Sequence, residues 1–211
     1  VGSEMCIRDS NRKIPTVVSS VVPEVNGFIM DRLQELSLQR PLFVNHRNNR
    51  ILRFKTETPE AIGADRIATA AGAYVLYGGS VAVVDFGTAT TISVVDKDGV
   101  FLGGAIMPGL RLMLEGLRYN TAQLPLVDFQ DIPTPLGNDT VSAILSGVVI
   151  GTAGAVERII GDIEKAGTFR LQLVLTGGHA ELMRPYLKRS CRINPNLIYE
   201  GIRQIYLRQR K

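Results

Sequence analysis

Between residues 80 and 109 the chain alternates short apolar runs with polar clusters. Val81-Ala-Val-Val84 has the form of a strand closed on both faces, and Asp85 ends it where an unpaired charge is costly to bury. Thr90-Thr-Ile-Ser-Val-Val95 reads as a second strand. Asp96-Lys-Asp-Gly99 reads as a turn, with Gly99 suited to positive φ, and Val100-Phe-Leu102 opens a third strand. The pattern predicts a hairpin whose tight bend brings backbone N–H groups, hydroxyls and one carboxylate to a point.

The same reading gives the rest of the chain its elements. Ile14 to Pro23 is a strand ending in a turn, Val25 to Leu36 has helical spacing, and Pro41-Leu-Phe-Val44 is a short strand. Pro59 suits the first residue of a helix with Thr58 as its cap; that helix runs to Tyr77, where Gly78-Gly79 stops it. Gly103 to Gly109 is expected to be a loop, and Leu110 to Arg118 a helix. Residues 121 to 138, with Pro125, Pro133 and Pro135, form a long connection. Asn138-Asp-Thr140 caps a helix to about Lys165, interrupted at Gly147, Gly151 and Gly154. Leu171 to Thr176 is a strand, Met183 to Lys188 a short helix and Leu197 to Gln209 a terminal one. Strands mixed with helices and a hairpin predict an α/β layer with a partly antiparallel sheet.

Composition changes this picture little. At 211 residues, 45% hydrophobic and 21% charged, the chain is an ordinary globular one. No apolar run approaches the length of a transmembrane helix, and the first residues lack the apolar core of a secretory signal, so no membrane and a cytoplasmic location are expected. Cys6 and Cys191 are too few and too far apart for a disulfide framework or a zinc site. The net charge of +4 is partly terminal; without a basic patch mixed with aromatics it gives no case for nucleic acid, and it suits a small anionic substrate.

Three clusters could carry chemistry. In Gly63-Ala-Asp-Arg66, Asp65 fits either a partner for the helix dipole or a functional carboxylate. In Asp85-Phe-Gly-Thr88, the strand end either satisfies its hydroxyls locally or forms a phosphate site, with Gly87 admitting an anion, Thr88 donating an O–H and Asp85 holding a cation. Thr176-Gly-Gly178 is either a tight loop or a flat seat for a nucleotide. His46 and His179 are the only histidines, which leaves little support for a histidine metal cluster or a Ser-His-Asp triad.

Taken in order, Ser19-Ser-Val-Val-Pro23, Gly63-Ala-Asp-Arg66, Val84-Asp-Phe-Gly-Thr-Ala-Thr90, Gly103-Gly-Ala-Ile-Met-Pro-Gly109, Asn138-Asp-Thr140 and Thr176-Gly-Gly178 resemble the type III pantothenate kinase family. That family lies within the acetate and sugar kinase, heat-shock ATPase and actin superfamily. The resemblance implies a ribonuclease H-like, actin-like ATPase fold: a complete second lobe over 59–211, a remnant of the first lobe over 14–58, and residues 1–13 outside the pattern. It implies ATP-dependent phosphorylation of pantothenate to 4'-phosphopantothenate, the entry to coenzyme A synthesis. Asp65 then matches the general base, and Gly63, Ala64, Asp65 and Arg66 the substrate-binding stretch, with Thr140 a further substrate contact reached across the dimer or cleft. Thr88 matches an ATP contact and Asp85 a ligand to a monovalent cation (potassium or ammonium). Magnesium arrives with the nucleotide, and a homodimer is implied.

The sequence departs from the family in two places. The family's opening Asp-x-Gly-Asn-Thr phosphate loop has no counterpart upstream of Ile14, so an N-terminally truncated chain is expected. The first ten residues join poorly to the segment after them and are read as foreign to the fold. Where the family has a substrate-contacting tyrosine, this chain has Thr56, with Phe54 the nearest aromatic. The competing expectations are a non-catalytic binding or regulatory relative and, last, a phosphohydrolase of the same superfamily.

Overall fold

The computed structural model describes residues 15–36, 40–129 and 133–209; the segment 1–13, read above as outside the fold, lies beyond them. The strand expected over Ile14 to Pro23 contracts to β1 (Val17–Val18), because Pro23 opens helix α1 (Pro23–Glu35). β1 pairs in parallel with β2 (Leu42–Phe43) as a small two-stranded sheet.

The main sheet has six strands: β3 (Arg53–Phe54), β4 (Val81–Phe86), β5 (Ala89–Val95), β6 (Val100–Pro108), β7 (Gln172–Thr176) and β8 (Cys191–Ile193). Their spatial order is β3-β6-β5-β4-β7-β8. β5 runs antiparallel to both β4 and β6, whereas β4, β7 and β8 are parallel to one another. The predicted hairpin is therefore present, at the centre of the sheet. β3, from within the 14–58 stretch, pairs with β6 at the sheet edge.

Segment 103–109 is not a loop: β6 continues to Pro108, with Gly104 opposite Ser93 and Pro108 opposite Ala89. Glycines read locally as breaks, but pairing along the whole of β5 outweighs that preference. The helix expected from Pro59 also changes form. Pro59–Ala61 is a single 3-10 turn without a side-chain bond from Thr58, Ile62 is extended, and helix α2 (Ala64–Tyr77) starts only after Gly63. Asp65 thus stands in the first turn of α2.

Side chains alternate across the sheet, so each face has its own core. Ala82, Val84, Phe86, Ile92 and Val94 pack beneath α3 (Leu110–Asn120) and α4 (Thr140–Gly167), together with α5 (Ala180–Met183). Val81, Val83, Val95, Phe101 and Val174 pack against α2 and the terminal helix α6 (Leu197–Gln209). The result is a three-layer α/β/α arrangement.

α4 is capped by Asp139, whose carboxylate accepts the Ser142 N–H while Ser142 Oγ accepts the Asp139 N–H. It runs through its glycines without a break, with Gly147 in a π-helical turn at Ser146–Ile150 and Gly151 and Gly154 in the regular helix that follows. At 28 residues it is, among the described residues, one helix long and apolar enough to cross a membrane. This corrects the expectation that no segment reaches that length. Its Leu145, Val149, Val156 and Ile160 are buried against the sheet, as in a core helix.

α2 and α6 approach closely because glycines face each other. A Cβ on Gly72 would lie 2.9 Å from the Leu197 carbonyl oxygen, and one on Gly201 would lie 1.8 Å from that of Ala68. Gly201→Val is therefore expected to cost about 2 kcal/mol or more by overpacking, read as a lower midpoint in urea unfolding; an unchanged midpoint would contradict this packing.

Candidate active site

The end of β4 places Asp85 on the face that α2 covers, since it alternates in step with Val81 and Val83. Thr91 stands opposite it on β5 and Thr176 opposite it on β7. Burial raises the Asp85 carboxyl above the ordinary aspartate value, and the negative charge of Asp65 raises it further. Asp65, in the first turn of α2, thus lies near enough to the end of β4 for its charge to bear on Asp85.

Glycines make that corner possible. A Cβ at Gly63 would stand 2.4 Å from Asp65 Oδ1 and 3.6 Å from Val21 Cγ1, so Gly63 clears the space in which the Asp65 carboxylate sits. Gly177, at φ 89°, brings the Thr-Gly-Gly turn onto the end of β4; a Cβ there would be 2.3 Å from Asp85 Oδ1 and 2.7 Å from the Phe86 backbone. The contact is sealed by the His179 N–H donating to the Phe86 carbonyl at 3.2 Å. On the other side of the bend, the Gly109 N–H donates to the Thr88 carbonyl at 3.0 Å.

Asp65 and Arg66 are oriented differently despite being neighbours. Asp65 Oδ1 accepts the Arg66 backbone N–H at 2.8 Å. The Arg66 guanidinium turns to the sheet instead: Nε donates to Ser93 Oγ at 3.0 Å and Nη2 to the Ile92 carbonyl at 3.1 Å. Its plane stands over the Phe101 ring, 5.6 Å from the centroid. Burial lowers the Arg66 pKa, and the Asp65 charge opposes that shift.

Thr88 is exposed beyond the bend and lines a cavity of about 310 Å³ with Phe86, Gly87, Leu112, Gly178 and His179, together with the ion-paired Arg111 and Glu115. Asp65 and Asp85 do not line it. Thr88 and the Thr-Gly-Gly turn thus share one space on the far side of the bend. Thr140 is not brought to either: it is exposed at the start of α4 and lines a separate apolar groove of about 420 Å³ with Leu117, Leu124 and Ile144. A larger cavity of about 510 Å³ at the C-terminal end of α4 has its Arg189 committed to Glu157 and Glu164. Among the described residues no cluster of three or more His, Cys, Asp or Glu is arranged to hold a metal ion.

Several residues of the site do not stand out in the sequence. Ser93 carries a signal in retrospect, since it lies two residues from Thr91 on the Asp85 face. Leu112, Arg111 and Glu115 carry none, because only packing of α3 against the bend brings them there.

A family profile for type III pantothenate kinase matches residues 4–162. A type III pantothenate kinase of Agathobacter rectalis is 35% identical over 196 residues, covering 92% of this chain and 75% of the relative. One from Roseiflexus sp. is 36% identical over 189 residues, covering 90% and 74%. Among solved structures, a conserved putative Baf family transcriptional activator from Campylobacter jejuni superposes with a TM-score of 0.60 at 21% identity, over 100% of this chain and 89% of the other. The last of these speaks for the fold alone.

The raised Asp85 pKa gives a signed expectation. A carboxyl raised in the fold contributes stability while protonated, below its unfolded value of about 3.9, and loses that contribution as pH rises through its folded value. In potassium-free buffer, the parent is expected to lose melting temperature relative to Asp85→Asn as pH rises from 4 to 8. Parallel pH profiles for the two proteins would contradict the burial of a charge-repelled Asp85.

Proposed function

The chain belongs to the type III pantothenate kinase family, and on that premise we propose that it transfers the γ-phosphoryl group of ATP to the primary hydroxyl of pantothenate. The products are 4'-phosphopantothenate and ADP, the first step of coenzyme A synthesis. The observation that supports the assignment of residues is a half-buried Asp85 carboxyl, raised by burial and then by the charge of Asp65, beside a bend where Gly63 and Gly177 clear the space around the two carboxylates.

In this reading Asp65 accepts the proton of the pantothenate hydroxyl as its oxygen bonds to the γ-phosphorus and the bridging β,γ-oxygen bond breaks. Gly63 and Ala64 shape the substrate stretch, and Arg66 presents its guanidinium to the pantothenate carboxylate. Thr88 donates its hydroxyl to the nucleotide phosphates from the 310 Å³ cavity. Phosphoryl transfer asks chiefly for positioning and charge stabilisation, and these side chains supply both.

The donor set at Asp85 fits a monovalent cation: a half-buried carboxylate facing a second negative charge is relieved by a positive ion. Potassium or ammonium held by Asp85 would supply charge compensation beside the phosphates, and magnesium would accompany the nucleotide. A homodimer is supported by the exposed α4 face, where Gly147, Gly151 and Gly154 have nothing within 4 Å of a Cβ position. Thr140, on that helix, would then reach the substrate of the partner subunit. A cytoplasmic location accords with α4 being packed in the core.

Asp65→Asn is expected to lower kcat about 10²- to 10⁴-fold, measured as pantothenate-dependent ADP release, with pantothenate still binding by calorimetry. Turnover equal to the parent's would refute the base assignment. In the same assay Asp85→Asn should lose stimulation by potassium over sodium; undiminished stimulation would move the cation site elsewhere.

A further inference from the structure

Arg66 is a cation half-buried against the sheet with no carboxylate within ion-pair distance among the described residues. Its two sheet acceptors, Ser93 Oγ and the Ile92 carbonyl, are neutral, so they orient the guanidinium without cancelling its charge. Ser93 is 1% exposed, and its hydroxyl lies on the strand that also carries Thr91 opposite Asp85. The passage through which Nη2 reaches Ile92 exists because residue 104 lacks a side chain: a Cβ there would stand 3.2 Å from Nη2 and 1.7 Å from the Ile92 oxygen. The Phe101 ring stacks on one face of the guanidinium, 5.6 Å from its carbon to the ring centroid, and leaves the edges free of that contact. The bonds made to Ser93 and Ile92 use Nε and one N–H of Nη2, and Nη1 makes no hydrogen bond to a described residue. A planar fork anchored along one edge leaves its other edge to a carboxylate in fixed orientation.

We propose that Ser93 is a positioning residue for substrate selection: it anchors the Arg66 fork so that the free edge recognises the carboxylate of the alcohol substrate, and thereby separates the acid from neutral analogues of the same shape. This rests on the assignment of Arg66 as the substrate clamp. Ser93 itself touches no substrate in this arrangement. Without its acceptor the Arg66 side chain regains rotamer freedom, and the ordering it needs is then drawn from the binding energy.

The test is calorimetric binding of pantothenate and of its neutral alcohol analogue, in which a hydroxymethyl group replaces the carboxylate. Arg66→Ala is expected to weaken pantothenate far more than the alcohol, removing the preference for the acid. Ser93→Ala should do the same to a smaller extent, raising the pantothenate Kd about tenfold, while Ser93→Thr, which keeps the hydroxyl, restores the acid preference. If Arg66→Ala removes the preference and Ser93→Ala retains it, the positioning role is overturned while the clamp stands. If Ser93→Ala weakens both ligands equally, its role is only structural and the inference also falls. Retention of the preference in Arg66→Ala overturns the clamp itself. Should Ser93→Ala fail to fold, Phe101→Leu removes the ring beneath the guanidinium and is expected to narrow the acid preference a few-fold; no narrowing would count against the anchored fork.

Discussion

At the corner where α2 begins and β4 ends, Asp85 is a half-buried carboxyl that also feels the charge of Asp65, and this buried acid is the constraint around which the site is arranged. Asp85 is held above its ordinary pKa first by burial and then by Asp65. Like charges in a partly buried place raise each other's energy unless a proton or a cation intervenes. Such arrangements concentrate at functional sites because a folded chain has little other reason to keep them. The proposed cation site, the proposed base and the proposed anion clamp all draw on this one accumulation of charge.

Close backbone approach is what brings the charges together. Gly63 yields its Cβ space to the Asp65 carboxylate, and Gly177 brings the turn after β7 to within contact of Asp85. Gly104 opens the way from Arg66 to the Ile92 carbonyl, and at Gly109 a Cβ would lie 2.3 Å from the Gly87 and Thr88 carbonyl oxygens. The glycines of the separate motifs thus act as a single device: each removes a side chain where two backbones, or a backbone and a charged group, must meet.

The sheet divides the labour. On the α2 face lie Asp65, Arg66, Ser93 and Asp85; beyond the bend lie Thr88, Gly178 and His179 around their cavity. β4 carries both, because consecutive residues of a strand point to opposite faces: Asp85 looks toward α2 and Phe86 into the opposite core. In the proposed reaction the alcohol arrives from the first side and the nucleotide from the second, with the end of a single central strand between them.

Much of this is legible residue by residue. Local patterns place the hairpin, α2 to its stop at Gly78, and α6 over Leu197–Gln209, since runs of apolar residues and capping glycines act over a few positions. Where several partners compete, local signals mislead. The Gly103–Gly109 stretch reads as a loop and is a strand because β5 pairs with it, and the Pro59 turn breaks at Ile62 so that Asp65 enters α2 in its first turn. Strands β3 and β8, of two and three residues, have too little sequence to announce themselves.

The sequence alone determined the family, the mixed α/β class and the identity of the charged residues, because these depend on residue type and order along the chain. Tertiary structure alone decided that Asp85 is half-buried within reach of the Asp65 charge, that Arg66 is pinned to Ser93, and that Thr140 stands apart in another groove. Those relations join residues far apart along the chain, and only the packing of α2 and α4 on opposite faces of the sheet sets such distances.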